Sequence, residues 1–173
     1  SLQILAEKEG GMNKSTMEGR RLSSFITAAV ELTTTDAPQW EFIAARLLDF
    51  QLVRKIRSVE QQEGIGSLYE KISMLTSQGL YGDYILKTYT EEEIEEAASF
   101  IDNDRDKLIN YSGLDLLRKR YLLHTFDHQV VETVQEMFLG IALHLAMNEP
   151  HDRMQWVRKF YDMLSTLQVT MAT

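Results

Sequence analysis

The chain has 173 residues, 44% hydrophobic and 25% charged, which is the make-up of one folded domain or a piece of a larger protein rather than of a disordered chain. It contains no cysteine, which excludes disulfides, thiolate metal sites, iron–sulfur clusters and cysteine nucleophiles within these residues. With 18 basic and 26 acidic residues the formal net charge is −8, a poor balance for gripping nucleic acid or anionic membranes, and no apolar run nears the ~18 residues of a membrane span.

The first ten residues, up to Gly10-Gly11, read as a short helix or tail without a basic-then-apolar leader pattern. An amphipathic helix is predicted over 15–32, where Leu22, Phe25, Ile26, Ala29 and Val30 recur at helical spacing. Thr33-Thr34-Thr35 breaks it, and Asp36 is placed to cap a second helix over 38–59, with Ala37 or Pro38 in its first turn. That helix carries Trp40, Ile43, Ala44, Leu47, Leu48, Phe50 and Leu52 as a broad apolar face. Arg54, Lys55 and Arg57 lie near its C-terminal end, where cations suit the helix dipole.

The polar, glycine-punctuated stretch 60–66 reads as a loop and as the best domain boundary. A helix over 67–78 follows, with Gly79 at its C′ position. Thr90-Glu91-Glu92-Glu93 is a capping box that opens another helix. Asp102-Asn103-Asp104-Arg105-Asp106 reads as one more polar helix start. From Thr90 to Asp106 five glutamates and three aspartates face a single arginine, a local charge of −7, so most of the net charge sits in one stretch. A helix is predicted over 111–120. Strand formers on both sides of Thr125-Phe126-Asp127-His128 predict a small β-hairpin near 120–133. A strongly apolar helix over 134–147 and an amphipathic one over 151–167 complete the helices, and the β-prone tail 168–173 reads as a truncated strand. The expected class is therefore mainly α, an orthogonal multi-helix domain.

Chemistry is sparse in this pattern. His124 and His128 have the i,i+4 spacing of two ligands on a helix face, but the hairpin-like surroundings and the lack of an acid in an E-x-x-H relation favour a pair of surface histidines. His144, in the apolar helix, reads as a partly buried hydrogen-bonded residue. Gly64-Ile65-Gly66 is too short for a phosphate loop, and no G-x-S-x-G elbow occurs. The Arg54, Lys55 and Arg57 cluster can contact phosphate, although helix-end complementarity also accounts for it. No metal ligands and no catalytic set are expected in the chain.

Several ordered motifs resemble a known family. Asp36-Ala37-Pro38-Gln39-Trp40 with Ala44-Ala45-Arg46-Leu47 is similar to the D-A-P…A-A-R-L segment of the large (alpha) subunit of class I ribonucleoside-diphosphate reductase. Tyr89-Thr90-Glu91-Glu92-Glu93, then Phe100-Ile101-Asp102-Asn103-Asp104-Arg105-Asp106, resembles its Y-T-E-E-E…F-I-D-x-D-R-D. Tyr121-Leu122 and Phe160-Tyr161-Asp162 with Ser165-Thr166 match later positions, so the order is kept over about four-fifths of the chain, from Asp36 to Thr173.

The resemblance implies an enzyme that reduces ribonucleoside diphosphates to 2′-deoxyribonucleotides by a thiyl-radical mechanism for DNA synthesis, in the cytoplasm. It implies a beta-subunit partner with a metal-radical cofactor, ATP and dATP effectors, a thioredoxin- or glutaredoxin-type reductant and a homodimer of alpha subunits. Residues 1–59 then correspond to part of an ATP-cone-like region and 60–173 to the subunit's N-terminal helical domain, the chain stopping before the catalytic barrel. The family's nucleotide-contacting lysine aligns with Arg54, beside Lys55, whereas its threonine and histidine contacts fall near Glu18 and Leu22. Its substrate-contacting threonine aligns with Thr173. By itself the chain is expected to be inactive and to bind ATP or dATP weakly. The competing reading is a free-standing helical regulatory or interaction domain of the same fold.

Overall fold

The computed structural model describes residues 2–169, with side chains described from residue 17 onward. Among the described residues there are eight α-helices: α1 (Leu2–Glu31), α2 (Gln39–Glu63), α3 (Leu68–Ser77), α4 (Tyr84–Thr88), α5 (Glu91–Ala98), α6 (Tyr111–Arg120), α7 (Val134–Ala146) and α8 (Arg153–Ser165). A 3-10 turn, Asn103–Leu108, lies between α5 and α6. The described backbone is helical apart from connections and two isolated β-bridges, so the mainly α class is observed. The chain divides into two compact units, Ser1–Gln51 with Ile109–Asp115 and Leu52–Leu108 with Leu116–Thr173.

The first unit is built from α1, the first half of α2 and the start of α6. Its buried apolar set is Ile26, Ala29, Ala44, Ala45, Leu48, Ile109 and Leu114. Arg46 Nη2 donates to the Ile109 carbonyl at 2.9 Å, Ser112 Oγ to Glu41 at 3.1 Å and Gln51 Nε2 to Ser23 Oγ at 3.1 Å. The break after α1 forms differently from the expectation. Thr34 organises it, its carbonyl and its hydroxyl both accepting the Ala37 N–H at 3.1 and 3.2 Å, and α2 begins at Gln39, after Pro38, with no Asp36 cap bond. The apolar face of α2 is also narrower than predicted. Ile43 and Phe50 are 41% and 58% exposed. At about 100° per residue they lie roughly 140–160° around the helix from the buried Leu48.

The second unit holds the remaining helices. The stretch expected to be a loop from Glu60 instead continues α2 to Glu63 and stops at Gly64, whose φ of +71° is a left-handed C′ conformation that glycine adopts without strain. Ser67 caps α3 through the Glu70 N–H at 3.2 Å, and Gly79 ends it at φ +71°, as expected from sequence. The Thr90 capping box is present in full, with Glu93 returning a bond to the Thr90 N–H at 2.9 Å. The polar run after Ile101 makes only the 3-10 turn rather than an α-helix. The short α4 was not expected from sequence.

The hairpin expected near 120–133 is reduced to one antiparallel bridge, His124 with Val130, closed by Thr125 N–H to Gln129 O at 2.8 Å. Its flanks are claimed by helices. Tyr121 and Leu122 both donate to Leu117 O at 2.9 Å, finishing α6, and Thr133 is the N-cap of α7. The apolar helix α7 packs along α8, burying Val134, Phe138, Leu139, Ala142, Leu143 and Ala146 with Val157, Tyr161 and Leu164. α3 packs on α5. After α8, Gln168 and Val169 donate to Met163 O, and the residues of the expected strand that follow, 170–173, lie outside the described residues.

Candidate functional site

Two groups of side chains in the second unit are chemically conspicuous. The first is on the surface. Arg54, Lys55 and Arg57 are exposed on α2, within one turn of each other. These are the basic residues that the sequence offered. Thr173, the other candidate, lies outside the described residues.

The second is internal. Lys71 is only 4% exposed, yet it carries an ammonium. Its Nζ donates to Glu60 Oε1 at 2.5 Å and to both oxygens of Glu136 at 2.8 Å. Burying such a charge is tolerable only when its donors are matched, as these are. Glu136 is also the N3 residue of a second capping box. It takes the Thr133 N–H at 2.7 Å while Thr133 Oγ1 takes the Glu136 N–H at 3.2 Å. Sequence reasoning missed this box although T-x-x-E was in view at 133–136, because Thr133 was assigned to a strand arm.

Glu132 is the third carboxylate there. It accepts the Leu123 N–H at 2.7 Å. It is pushed up to about 7, chiefly by burial and also by the neighbouring Glu136, the Leu123 bond and Lys71 pulling the other way. Tyr81 is likewise pushed up by burial and by the charges of Glu132 and Glu136. Lys71, Tyr81, Glu132 and Glu136 line a cavity of about 20 Å³ together with Leu139 and Gly140. A Cβ added at Gly140 would stand 2.6 Å from the Tyr81 hydroxyl, so the absent side chain makes room for that ring.

A separate polar chain runs through the α7–α8 layer. The Tyr161 hydroxyl donates to Gln135 Oε1 at 2.7 Å and accepts the Asp102 N–H at 2.8 Å, and Gln135 Nε2 donates to the buried Asp106 at 2.7 Å. Arg105 Nη1 bonds Asp162 at 2.7 Å and Ser165 Oγ at 2.6 Å. This chain ties the 3-10 turn to α7 and α8, and it assembles the F-I-D…D-R-D and F-Y-D…S residues into one network.

The histidines gather into no ligand set. His124 and His128 sit on the turn, His128 exposed with a φ of 60°. His144 is exposed, contrary to expectation, and packs edge-on against the Tyr84 ring at 5.2 Å. Among the described residues no group of three or more His, Asp or Glu side chains is arranged to hold a metal ion, and no helix is long and apolar enough to cross a membrane.

Residues 107–173 match the family model described as ribonucleotide reductase, all-alpha domain. The chain is 52% identical over 174 aligned positions to the ribonucleoside-diphosphate reductase subunit alpha of Treponema pallidum (strain Nichols), covering all of this chain and 21% of that protein. It is 32% identical over 152 positions to the reductase 1 subunit alpha of Escherichia coli (strain K12), covering 87% of this chain and 20% of that protein. It is 34% identical over 151 positions to the subunit alpha of Synechocystis sp., covering 87% and 19%. The chain thus spans about a fifth of the length of the relatives it matches. Over its whole length it is similar to the N-terminal region of ribonucleoside-diphosphate reductase alpha subunits, and its residues 107–173 match that family's all-alpha domain.

Proposed function

We propose that this chain is the N-terminal helical part of a ribonucleoside-diphosphate reductase alpha subunit, the enzyme that reduces ribonucleoside diphosphates to 2′-deoxyribonucleotides through a thiyl radical. The observation that carries the reading is 52% identity along the entire chain to one such subunit. The chain contains no cysteine, so the thiyl and redox chemistry belongs to parts of the protein beyond these residues. Residues 60–173 serve as the helical scaffold and 1–59 as a partial ATP-cone-like region. The partners are a beta subunit carrying a metal-radical cofactor, a thioredoxin- or glutaredoxin-type reductant and a second alpha subunit, in the cytoplasm.

Arg54 and Lys55 are assigned to the phosphates of an ATP or dATP effector. Two exposed cations one residue apart fit a polyphosphate by charge. Thr173 is assigned to the substrate end, next to the barrel.

The test is a reductase assay with a ribonucleoside diphosphate, a beta subunit and a dithiol reductant. The alpha subunit containing this sequence should form deoxynucleotide, and the 173-residue chain alone should not. Product from the chain alone, or none from the subunit, overturns the reading. A reading frame that stops at Thr173 would instead favour a free-standing regulatory domain. In the active subunit, Arg54→Ala with Lys55→Ala should weaken the response to ATP or dATP and leave effector-free turnover unchanged. Unaltered effector binding would remove these two residues from the assignment.

A further inference from the structure

Three carboxylates surround one buried ammonium in the second unit. Lys71 of α3 has three N–H donors, and the distances direct them to Glu60 at the end of α2 and to both oxygens of Glu136 in the first turn of α7. Glu132, just ahead of the Thr133 cap, receives none of them. Its hydrogen bond comes from the Leu123 N–H, in the turn closed by the His124–Val130 bridge. The groups that face Glu132 are Lys71 from α3, Glu136 from α7 and Tyr81 from the α3–α4 connection. From the turn itself comes an uncharged backbone donor.

We propose that Glu132 is a proton-operated latch that holds the 122–131 turn on the N-terminal end of α7. With a proton, Glu132 is neutral, adds no second uncompensated charge beside Glu136, and keeps the Leu123 N–H as a partner. Without it, the cluster holds three negative charges against one positive, on side chains that are only part-exposed or buried. The cavity of about 20 Å³ beside it has room for about one water, too little to hydrate a carboxylate fully. The way to hydrate it is to release the Leu123 bond and let the turn shift locally at Leu123. The Lys71 bonds and the Thr133–Glu136 box do not pass through Glu132 and stay in place, while the Val131 N–H bond to Leu123 O at 3.0 Å and the buried Leu122 and Val131 keep the opening local to Leu123.

The direction follows from linkage. Latched Glu132 is pushed up to about 7, whereas an opened, hydrated carboxylate titrates near its ordinary 4.5. The latched form therefore binds the proton more tightly, and the ratio of open to latched turn rises with pH between those values, by at least about tenfold from pH 5 to pH 8.

The test is hydrogen exchange at the Leu123 amide in the 173-residue chain from pH 5 to pH 8, with intrinsic rates divided out. Protection should fall at least about tenfold, steadily from pH 5 and levelling off above about pH 7. Glu132→Gln, which keeps the acceptor but not the charge, should make protection independent of pH. A carboxyl-carbon NMR titration of the unaltered chain reads the same site if that variant does not fold. A Glu132 midpoint below about 5.5, in the ordinary carboxylate range, would overturn the latch. So would a Leu123 protection profile that is unchanged in Glu132→Gln.

Discussion

Replacing Lys71 by methionine tests whether the internal charge cluster is structural. Methionine keeps most of the length and volume of the lysine stem, so packing against Ile72 and Leu75 on α3 is little disturbed. What is lost is the ammonium, with its bonds to Glu60 at 2.5 Å and to Glu136 at 2.8 Å. Removing one partner of a buried ion pair costs roughly 3–5 kcal/mol because the other is left buried and unpaired. Here the side chains of Glu60 and Glu136 are 25% and 17% exposed, so each regains some water, and the low end, about 3 kcal/mol, is expected. For a chain of this size that corresponds to a fall in melting temperature of about 6–12 °C. Lys71 is also the neighbour whose charge lowers Glu132, so the variant lifts that group further. A carboxyl raised in the folded state supports folding at low pH and withdraws that support as pH rises. The deficit of Lys71→Met should therefore be larger at pH 8 than at pH 5. Circular-dichroism melts of both proteins at the two pH values measure it. A loss under about 1 kcal/mol, independent of pH, would mean that the cluster behaves as a surface ion pair and would refute the reasoning.

Tyr161→Phe removes a hydroxyl that serves Gln135 and the Asp102 N–H inside the α7–α8 layer, and should cost about 2 kcal/mol in urea unfolding. Thr133→Ala opens the α7 capping box and should cost about 1 kcal/mol, with the helix start fraying in amide exchange. Tyr89→Phe deletes the donor to the Leu143 carbonyl at 2.7 Å, a buried acceptor, and should cost about 1 kcal/mol by the same melts. Phe50→Ser, at a 58% exposed position, should change stability by less than about 0.5 kcal/mol in this chain, and a loss above 2 kcal/mol would place Phe50 in a core.

The helical class, the α3 stop at Gly79, the Thr90 box and the apolar α7 were all readable, because each depends on residues within one or two turns of each other. The hairpin was overestimated because β propensity at 120–124 and 130–133 competes with helix ends on both flanks, and a helix end adds its bonds one residue at a time while an isolated two-stranded arm gains few. The outward placement of Ile43 and Phe50 shows that apolar content alone does not select which face of a helix is buried.

Local pattern by itself thus determined most of the helices, the Thr90 cap and the α3 stop, the absence of thiols from these residues and, through ordered motifs, the resemblance to the reductase alpha subunit. The charged interior was decided only by tertiary structure. Lys71 and Glu136 are separated by 65 residues, and Gln135 and Asp106 by 29, so no periodicity announces either pair. Their energies come from shared burial, where an unpaired charge costs far more than it does in water, and burial exists only once α7 has met α2 and α3 for the first pair and the 3-10 turn for the second.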